Sequence, residues 1–297
     1  MLTGIYFYLQ RRIEVGKQIV DFVKCSPTQN MTILVKSKHS TDAYKHIASK
    51  LMSYDSVYAE QVGYIETPVN SAAVAHLQMA GGEFCGNACM SLAAYLASEK
   101  SMQPNQSTDI LLEVSGINTL LTCTVRRIAK GYNCSVTMPT PQHIEERIIQ
   151  YEGNDLVVTI VRYANFIHMV IEVDEFHSSI RGKAESLARL LGLTMGANLI
   201  GILLYKVNTE ELAPLIYVPH VDSMIWERGC GSGTASIGAY LAWKHKEKIS
   251  AAIKQPGGII QVHANYEEVD KVSLRIEGIV NIVAQGKAFI DISNYIA

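Results

Sequence analysis

Two cysteines open near-copies of one short stretch. The first copy runs Cys85-Gly86-Asn87-Ala88-Cys89-Met90-Ser91-Leu92-Ala93-Ala94-Tyr95-Leu96-Ala97; the second runs Cys230-Gly231-Ser232-Gly233-Thr234-Ala235-Ser236-Ile237-Gly238-Ala239-Tyr240-Leu241-Ala242. Laid on one another without a gap they share Cys, Gly, Ser, Ala, Tyr, Leu and Ala, and Leu92 faces Ile237. In each copy small residues follow the thiol and an apolar helical run follows them, so each cysteine stands at a helix start. The first N–H groups of a helix have no intrahelical partner, and the macrodipole makes that end positive. Such an end attracts an anion, a carboxylate for example. The same field lowers a thiol pKa and raises its thiolate fraction. Two such ends face to face would place a carboxylate between two cysteines.

The copies lie about half of the 297-residue chain apart, too long a period for a stacked array of repeats. The spacing predicts two similar lobes, each donating one cysteine. Both helices are apolar nearly all round, the mark of buried central helices. Around them short strand-like segments dominate: 18–23, 31–36, 57–65, 73–79, 110–114, 119–126 and 133–138 in the first half, and 156–162, 167–173, 199–207, 215–218, 259–263, 272–276 and 279–290 in the second. Helical spacing recurs over 42–52 and 182–191. Regular strand–helix alternation, the sign of a parallel sheet, is missing. The expected class is α+β: two pseudo-symmetric lobes, each a mostly antiparallel sheet curled round one central helix. The polar stretch Pro139–Gln150 is the expected boundary, giving lobes 1–140 with Cys85 and 141–297 with Cys230, with terminal strands free to cross between them. Residues 1–15 are read as an extension or an extra strand.

The chain is 48% apolar and 18% charged with a net charge of −2, which suits a soluble enzyme and gives no basic block for nucleic acid. No run long enough for a membrane span and no signal-peptide pattern is read. Six cysteines in a chain of this size do not form a disulfide framework and point to a reducing, cytoplasmic setting.

The stretches Glu83-Phe84-Cys85-Gly86-Asn87-Ala88 and Cys230-Gly231-Ser232-Gly233-Thr234-Ala235 resemble the paired motifs of cofactor-independent amino-acid racemases and epimerases, such as diaminopimelate epimerase and proline racemase. Asn30–Val35, Glu60-Gln61-Val62-Gly63, Pro214–Pro219, Ile225-Trp226-Glu227 and Gln255-Pro256-Gly257-Gly258 look like the histidine racemases of staphylopine-type metallophore pathways. The resemblance implies a diaminopimelate epimerase-like fold, a homodimer, and an amino acid as substrate. It implies a two-base reaction in which one cysteine thiolate removes the α-proton and the other thiol returns a proton to the opposite face. No pyridoxal phosphate, metal or other cofactor takes part in that scheme. Matched residue by residue, Asn30 and Asn198 fall on substrate-contacting asparagines. His168 and Glu227 fall on a histidine and a glutamate beside the cysteines. Arg228 falls on an arginine that handles a distal carboxylate in diaminopimelate epimerase. The helix starts Gly86-Asn87 and Gly231-Ser232-Gly233 would hold the α-carboxylate, and Glu60 would accept a hydrogen bond from an imidazole N–H.

Other readings stay open at this point. The thiols could be buried structural residues, Cys85 and Cys89 a metal pair, or Cys85 and Cys230 an oxidised disulfide. Diaminopimelate or another amino acid could be the substrate. A non-catalytic thiol or metal-binding protein is the rival from another class, and an isomerase lacking paired cysteines is a further one.

Overall fold

The computed structural model describes residues 17–267 and 271–291. The expected extension or strand over residues 1–15 lies outside the described residues. The first half runs β1 (Lys17–Pro27), β2 (Thr32–Val35), α1 (Tyr44–Met52), β3 (Gln61–Glu66), β4 (Ala75–Met79), α2 (Gly86–Glu99), β5 (Ser107–Val114), β6 (Leu121–Arg127) and β7 (Tyr132–Met138). The second runs β8 (His143–Tyr151), β9 (Asn154–Arg162), β10 (Phe166–Glu172), α3 (Ser178–Thr194), β11 (Leu199–Lys206), β12 (Glu211–Val218), β13 (Ser223–Trp226), α4 (Gly231–His245), β14 (Ile249–Gln255), β15 (Gly258–Tyr266) and β16 (Val272–Asp291).

Parallel neighbours need a crossover connection, and each helix supplies one. Helix α1 lies between parallel β2 and β3, α2 between β4 and β5, α3 between β10 and β11, and α4 between β12 and β14. The other pairings are antiparallel, so the class is α+β with two pseudo-symmetric lobes. The order β1-β2-β3-β4-β5-β6-β7 is matched place for place by β9-β10-β11-β12-β14-β15-β16. One strand joins the two: β16 pairs with β15 and β7 near its start, and its remainder, Val280 to Asp291, pairs with β1. The first sheet therefore closes on itself around α2.

Several stretches differ from the sequence expectation. The polar segment Pro139–Gln150 runs into β8, His143–Tyr151. As an edge strand paired only with β9, β8 buries little, so it carries none of the apolar alternation that marks a strand. Strand β14, where no element is expected, is Ala-rich because its inner face meets α4, and Ala251, Ile253 and Gln255 alternate inward. The two expected terminal strands are one continuous strand, β16.

Both central helices are buried on every side. In α2, Ala88, Cys89, Met90, Leu92, Ala93, Ala94 and Ala97 are fully shielded, and in α4 so are Ile237, Ala239 and Ala242. Small side chains let the curled strands close in. A methyl placed on Gly238 would stand 2.4 Å from Val262 Cγ2 on β15, whereas one on Gly182 in α3 would meet nothing within 4 Å. Alanine is preferred to glycine inside a helix by about 0.8–1.0 kcal/mol, but overpacking a core costs about 1–3 kcal/mol. Gly238→Ala is therefore expected to lose about 1–2 kcal/mol, and Gly182→Ala to gain about 0.5–1 kcal/mol. Urea unfolding of the two variants should move the midpoint in opposite directions.

Candidate active site

Cys85 and Cys230 are the N-cap residues of α2 and α4, both with extended backbone. Their side chains replace the usual hydroxyl or carboxylate cap. The Ala88 N–H donates to Cys85 Sγ at 3.4 Å, and the Gly233 N–H donates to Cys230 Sγ at 3.2 Å. The two helix starts meet head to head. A methyl on Gly231 would lie 3.0 Å from Asn87 Oδ1 and 3.0 Å from Ile276 Cδ1, and one on Gly86 would lie 3.3 Å from that same Ile276 atom. Asn87 Nδ2 donates to the Gly229 carbonyl at 2.7 Å, a buried bond linking the start of α2 to the approach to α4.

Between these ends lies a cavity of about 120 Å³ lined by both cysteines, Gly86, Asn87, Gly231 and Ser232. The carboxylates Glu60, Glu83 and Glu227 also line it, with Gln61 and an apolar wall from Leu199, Ile216, Val218 and Ile225. No Lys or Arg is among the described residues lining it. Burial pushes both thiols above the ordinary cysteine range, and the Glu227 carboxylate adds to the rise at each. N–H donation from the helix turns pulls the other way. Burial also raises the Glu227 carboxyl, while the Cys230 thiol and the Asn30 amide favour its anion. Glu60 is pushed up to about 7 by burial and then by Glu227, with Arg228 opposing. Its Oε2 is buried and has no hydrogen-bond partner.

Cys230 has a rigid socket. Its N–H donates to Gln255 Oε1 at 2.7 Å, Gln255 Nε2 donates to Thr234 Oγ1, and the Thr234 hydroxyl donates to the Cys230 carbonyl at 2.7 Å. On the other side the Cys85 thiol donates to Gln61 Oε1 at 2.8 Å. Neither glutamine is among the residues singled out from sequence. Both lie within quoted stretches, and an amide next to an apolar strand residue carries no signal until the thiol is placed beside it.

The remaining sequence candidates separate. Asn30 is fully buried, and neither atom of its side-chain amide has a partner of hydrogen-bonding geometry. Gly233 lies within the first turn of α4 and caps the thiol. His168 does not line the cavity: it is fully buried on β10, its Nδ1 2.8 Å from Ser236 Oγ on α4, and burial lowers it to about 3. Its Nε2 has no partner. Asn198 is exposed beside Leu199 and is not part of the lining. Arg228 is exposed; Nε and Nη2 donate to Gln29 Oε1, and Nη2 also donates to the Pro256 carbonyl. All six cysteines are free thiols, and among the described residues no three or more His, Cys, Asp and Glu side chains gather as metal ligands would. No helix among the described residues is long and apolar enough to cross a membrane.

This architecture is shared with solved structures. A hydroxyproline epimerase from Agrobacterium vitis superposes with a TM-score of 0.69 at 12% identity, covering 92% of this chain and 93% of that one. A predicted epimerase from Pseudomonas aeruginosa gives 0.63 at 11% identity, covering 90% and 98%. Among sequences, a histidine racemase of Staphylococcus aureus is 33% identical over 282 residues, 93% of this chain and 100% of that protein. One from Fusobacterium nucleatum subsp. nucleatum is 30% identical over 279 residues, 92% and 98%. Fold and relatives together define an isomerase of the amino-acid racemase class. The family model described as "Histidine racemase CntK N-terminal domain" matches residues 19–289. The chain belongs to the histidine racemase family.

The Gln255 socket is open to a direct test. Gln255→Leu leaves the buried Cys230 N–H without an acceptor, and an unpaired buried polar group costs about 1–3 kcal/mol. Denaturant unfolding is expected to show a loss of that size. Gln255→Glu keeps the acceptor but gives up the donor to Thr234 Oγ1, so it is expected to lose less only at acid pH, where its carboxyl is protonated.

Proposed function

We propose that this racemase interconverts L- and D-histidine, with Cys85 and Cys230 as its two acid/base groups. The observation that carries the reading is the meeting of two thiol-capped helix starts at one cavity. The α-carboxylate sits against the N–H groups of Gly86-Asn87 and Gly231-Ser232, where two helix dipoles converge, while the Gly233 N–H serves the Cys230 sulfur. One sulfur, as thiolate, removes the α-proton; the other, as thiol, delivers a proton to the opposite face. The carbanion-like transition state is stabilised by the same fixed N–H groups. The substrate ammonium offsets the burial that holds the thiols up, so a thiolate forms more readily with substrate bound. Glu227 and Cys230 share a proton, which gives Cys230 a neighbour able to accept it. The Asn30 amide stands behind that carboxylate and favours its anion.

Histidine is favoured over an amino acid with a distal carboxylate by the charge of the lining. Glu60 offers an unpartnered carboxylate oxygen to a side chain that donates N–H groups. The guanidinium that would meet a distal carboxylate, Arg228, is engaged by Gln29 and Pro256. The names of the relatives agree with this choice.

Incubated in D₂O with L-histidine, the reduced protein is expected to place deuterium at Cα and to yield the D-form. Cys85→Ser and Cys230→Ser should each lower racemisation at least about a hundredfold, the ordinary range for loss of a general acid or base. Either variant turning over at the parent rate would refute the two-base scheme.

Glu60 gives a pH signature. Its carboxyl is pushed up to about 7 from 4.5, and the anion accepts an imidazole N–H far more strongly than the neutral acid does. The kcat/KM for histidine should rise through about 7, and Glu60→Gln should remove that step. The stability consequence has a fixed sign. A carboxyl raised by burial stabilises the fold when protonated, and that contribution is lost as pH climbs from 4.5 through about 7. Thermal melts should show Glu60→Gln gaining on the parent across that window.

A further inference from the structure

We propose that Gln61 is a positioning residue that holds Cys85 in its thiol form in the resting enzyme, so that the cysteine pair starts each cycle unequal, with Cys85 as the proton donor. This inference rests on the two-cysteine reading above and assigns the starting proton within it.

The argument follows a chain of hydrogen bonds with one direction. Thr32 is fully buried on β2 and has one hydroxyl hydrogen, which it gives to the Asn30 carbonyl at 3.2 Å. Its oxygen can then only accept, and it accepts from Gln61 Nε2 at 2.7 Å. That fixes the amide. The NH₂ faces Thr32 and the carbonyl Oε1 faces Cys85 Sγ at 2.8 Å. An amide carbonyl has no hydrogen to give, so this contact is a bond only while the sulfur carries the proton. Turning the amide over would offer NH₂ to a thiolate. It would also require the Thr32 hydroxyl to turn and donate to Oε1, leaving the Asn30 carbonyl without that donor.

Cys230 has different neighbours. Both sulfurs receive a helix N–H, from Ala88 at Cys85 and from Gly233 at Cys230, but Cys230 also has the Ser232 hydroxyl, 3.5 Å away and able to donate to a thiolate. Glu227 raises the Cys230 thiol as it does Cys85, but a carboxyl, unlike an amide carbonyl, can take up the sulfur's proton and then donate back to the thiolate. The charged groups facing Cys85 are Glu83 and Glu227, both acting against its thiolate. The thiol of Cys89 lies one helical turn further on. In the forward half-reaction the Cys230 thiolate takes the Cα proton and Cys85 S–H gives its own to the opposite face. Cys85 then becomes the thiolate and Cys230 the thiol. The reverse half-reaction must begin from the form that Gln61 disfavours.

The test measures Cys85 alone. In a Cys230→Ser background, alkylation of Cys85 by iodoacetamide is followed across pH by mass analysis of its peptide. Removing the acceptor with Gln61→Met should lower the apparent pKa by about half to one unit. That corresponds to a roughly three- to tenfold faster reaction below that pKa. Gln61→Glu, which keeps an acceptor and adds charge, should slow it. Thr32→Val frees the amide to turn while keeping Gln61, and should speed alkylation as Gln61→Met does, so the idea remains testable even if one variant folds poorly. An unchanged Cys85 pH profile in both Gln61→Met and Thr32→Val would overturn the proposal, as would faster alkylation in Gln61→Glu. Failure of the two-base reading would look different: the Cys230→Ser parent would still racemise histidine, whatever its Cys85 profile.

Discussion

A buried helix start is an electrostatic problem, and this molecule has two of them pointed at each other. The first N–H groups of α2 and α4 have no partners within their helices, and their dipoles repel end to end. The arrangement is tolerable only with negative charge or strong acceptors between the ends. Two sulfurs supply part of that need by capping Ala88 and Gly233. The Asn87–Gly229 bond ties the ends together. What remains is a demand for an anion, and in the proposed reaction a substrate carboxylate would meet it. On that reading, the electrostatic strain of the helix starts and the binding of substrate are one interaction.

The cysteines elsewhere in the chain show what the helix starts change. Cys25, Cys89, Cys123 and Cys134 are all buried, and desolvation pushes each of them up. They behave as small apolar side chains. Cys85 and Cys230 are pushed up by the same burial, but backbone N–H groups oppose it and both sulfurs border open space. Burial makes proton removal from sulfur difficult in the free chain. It also strengthens every charge interaction once a substrate displaces water. Glu227 acts on both thiols and is itself held back from ionising. Proton sharing in this site therefore belongs to the group rather than to any single residue.

How far the sequence could be read depended on whether a residue's role is local. The two cysteine copies are local patterns, and they mark both central helices and the thiols at their starts. The α+β class follows from the same segments. The sequence shows less where distant parts of the chain decide. Strand β8 is polar because it is an edge, and β14 is Ala-rich because a helix lies on it. His168 sits in an apolar strand and bonds to Ser236 behind α4, away from the cavity. Arg228 follows Glu227 directly, but its fork turns outward to Gln29. Gln61 and Gln255 acquire meaning only when β3 and β14 are folded against the helix starts.

Strand β16 explains why the cavity stays narrow. It leaves β15, runs past β7 and ends along β1, so one continuous backbone belongs to both sheets. Ile276 sits on the stretch shared by β15 and β7, and its Cδ1 stands against both Gly86 and Gly231. A methyl at either glycine would stand 3.0–3.3 Å from that atom, so the isoleucine side chain would have to give by a few tenths of an ångström. Small residues at the two helix starts are thus a packing requirement as well as an electrostatic one. A lobe motion that opened the cavity would have to bend or slide a strand bonded on both edges. The loops carrying Glu60 and Glu227 border the cavity without belonging to the β16 ladder.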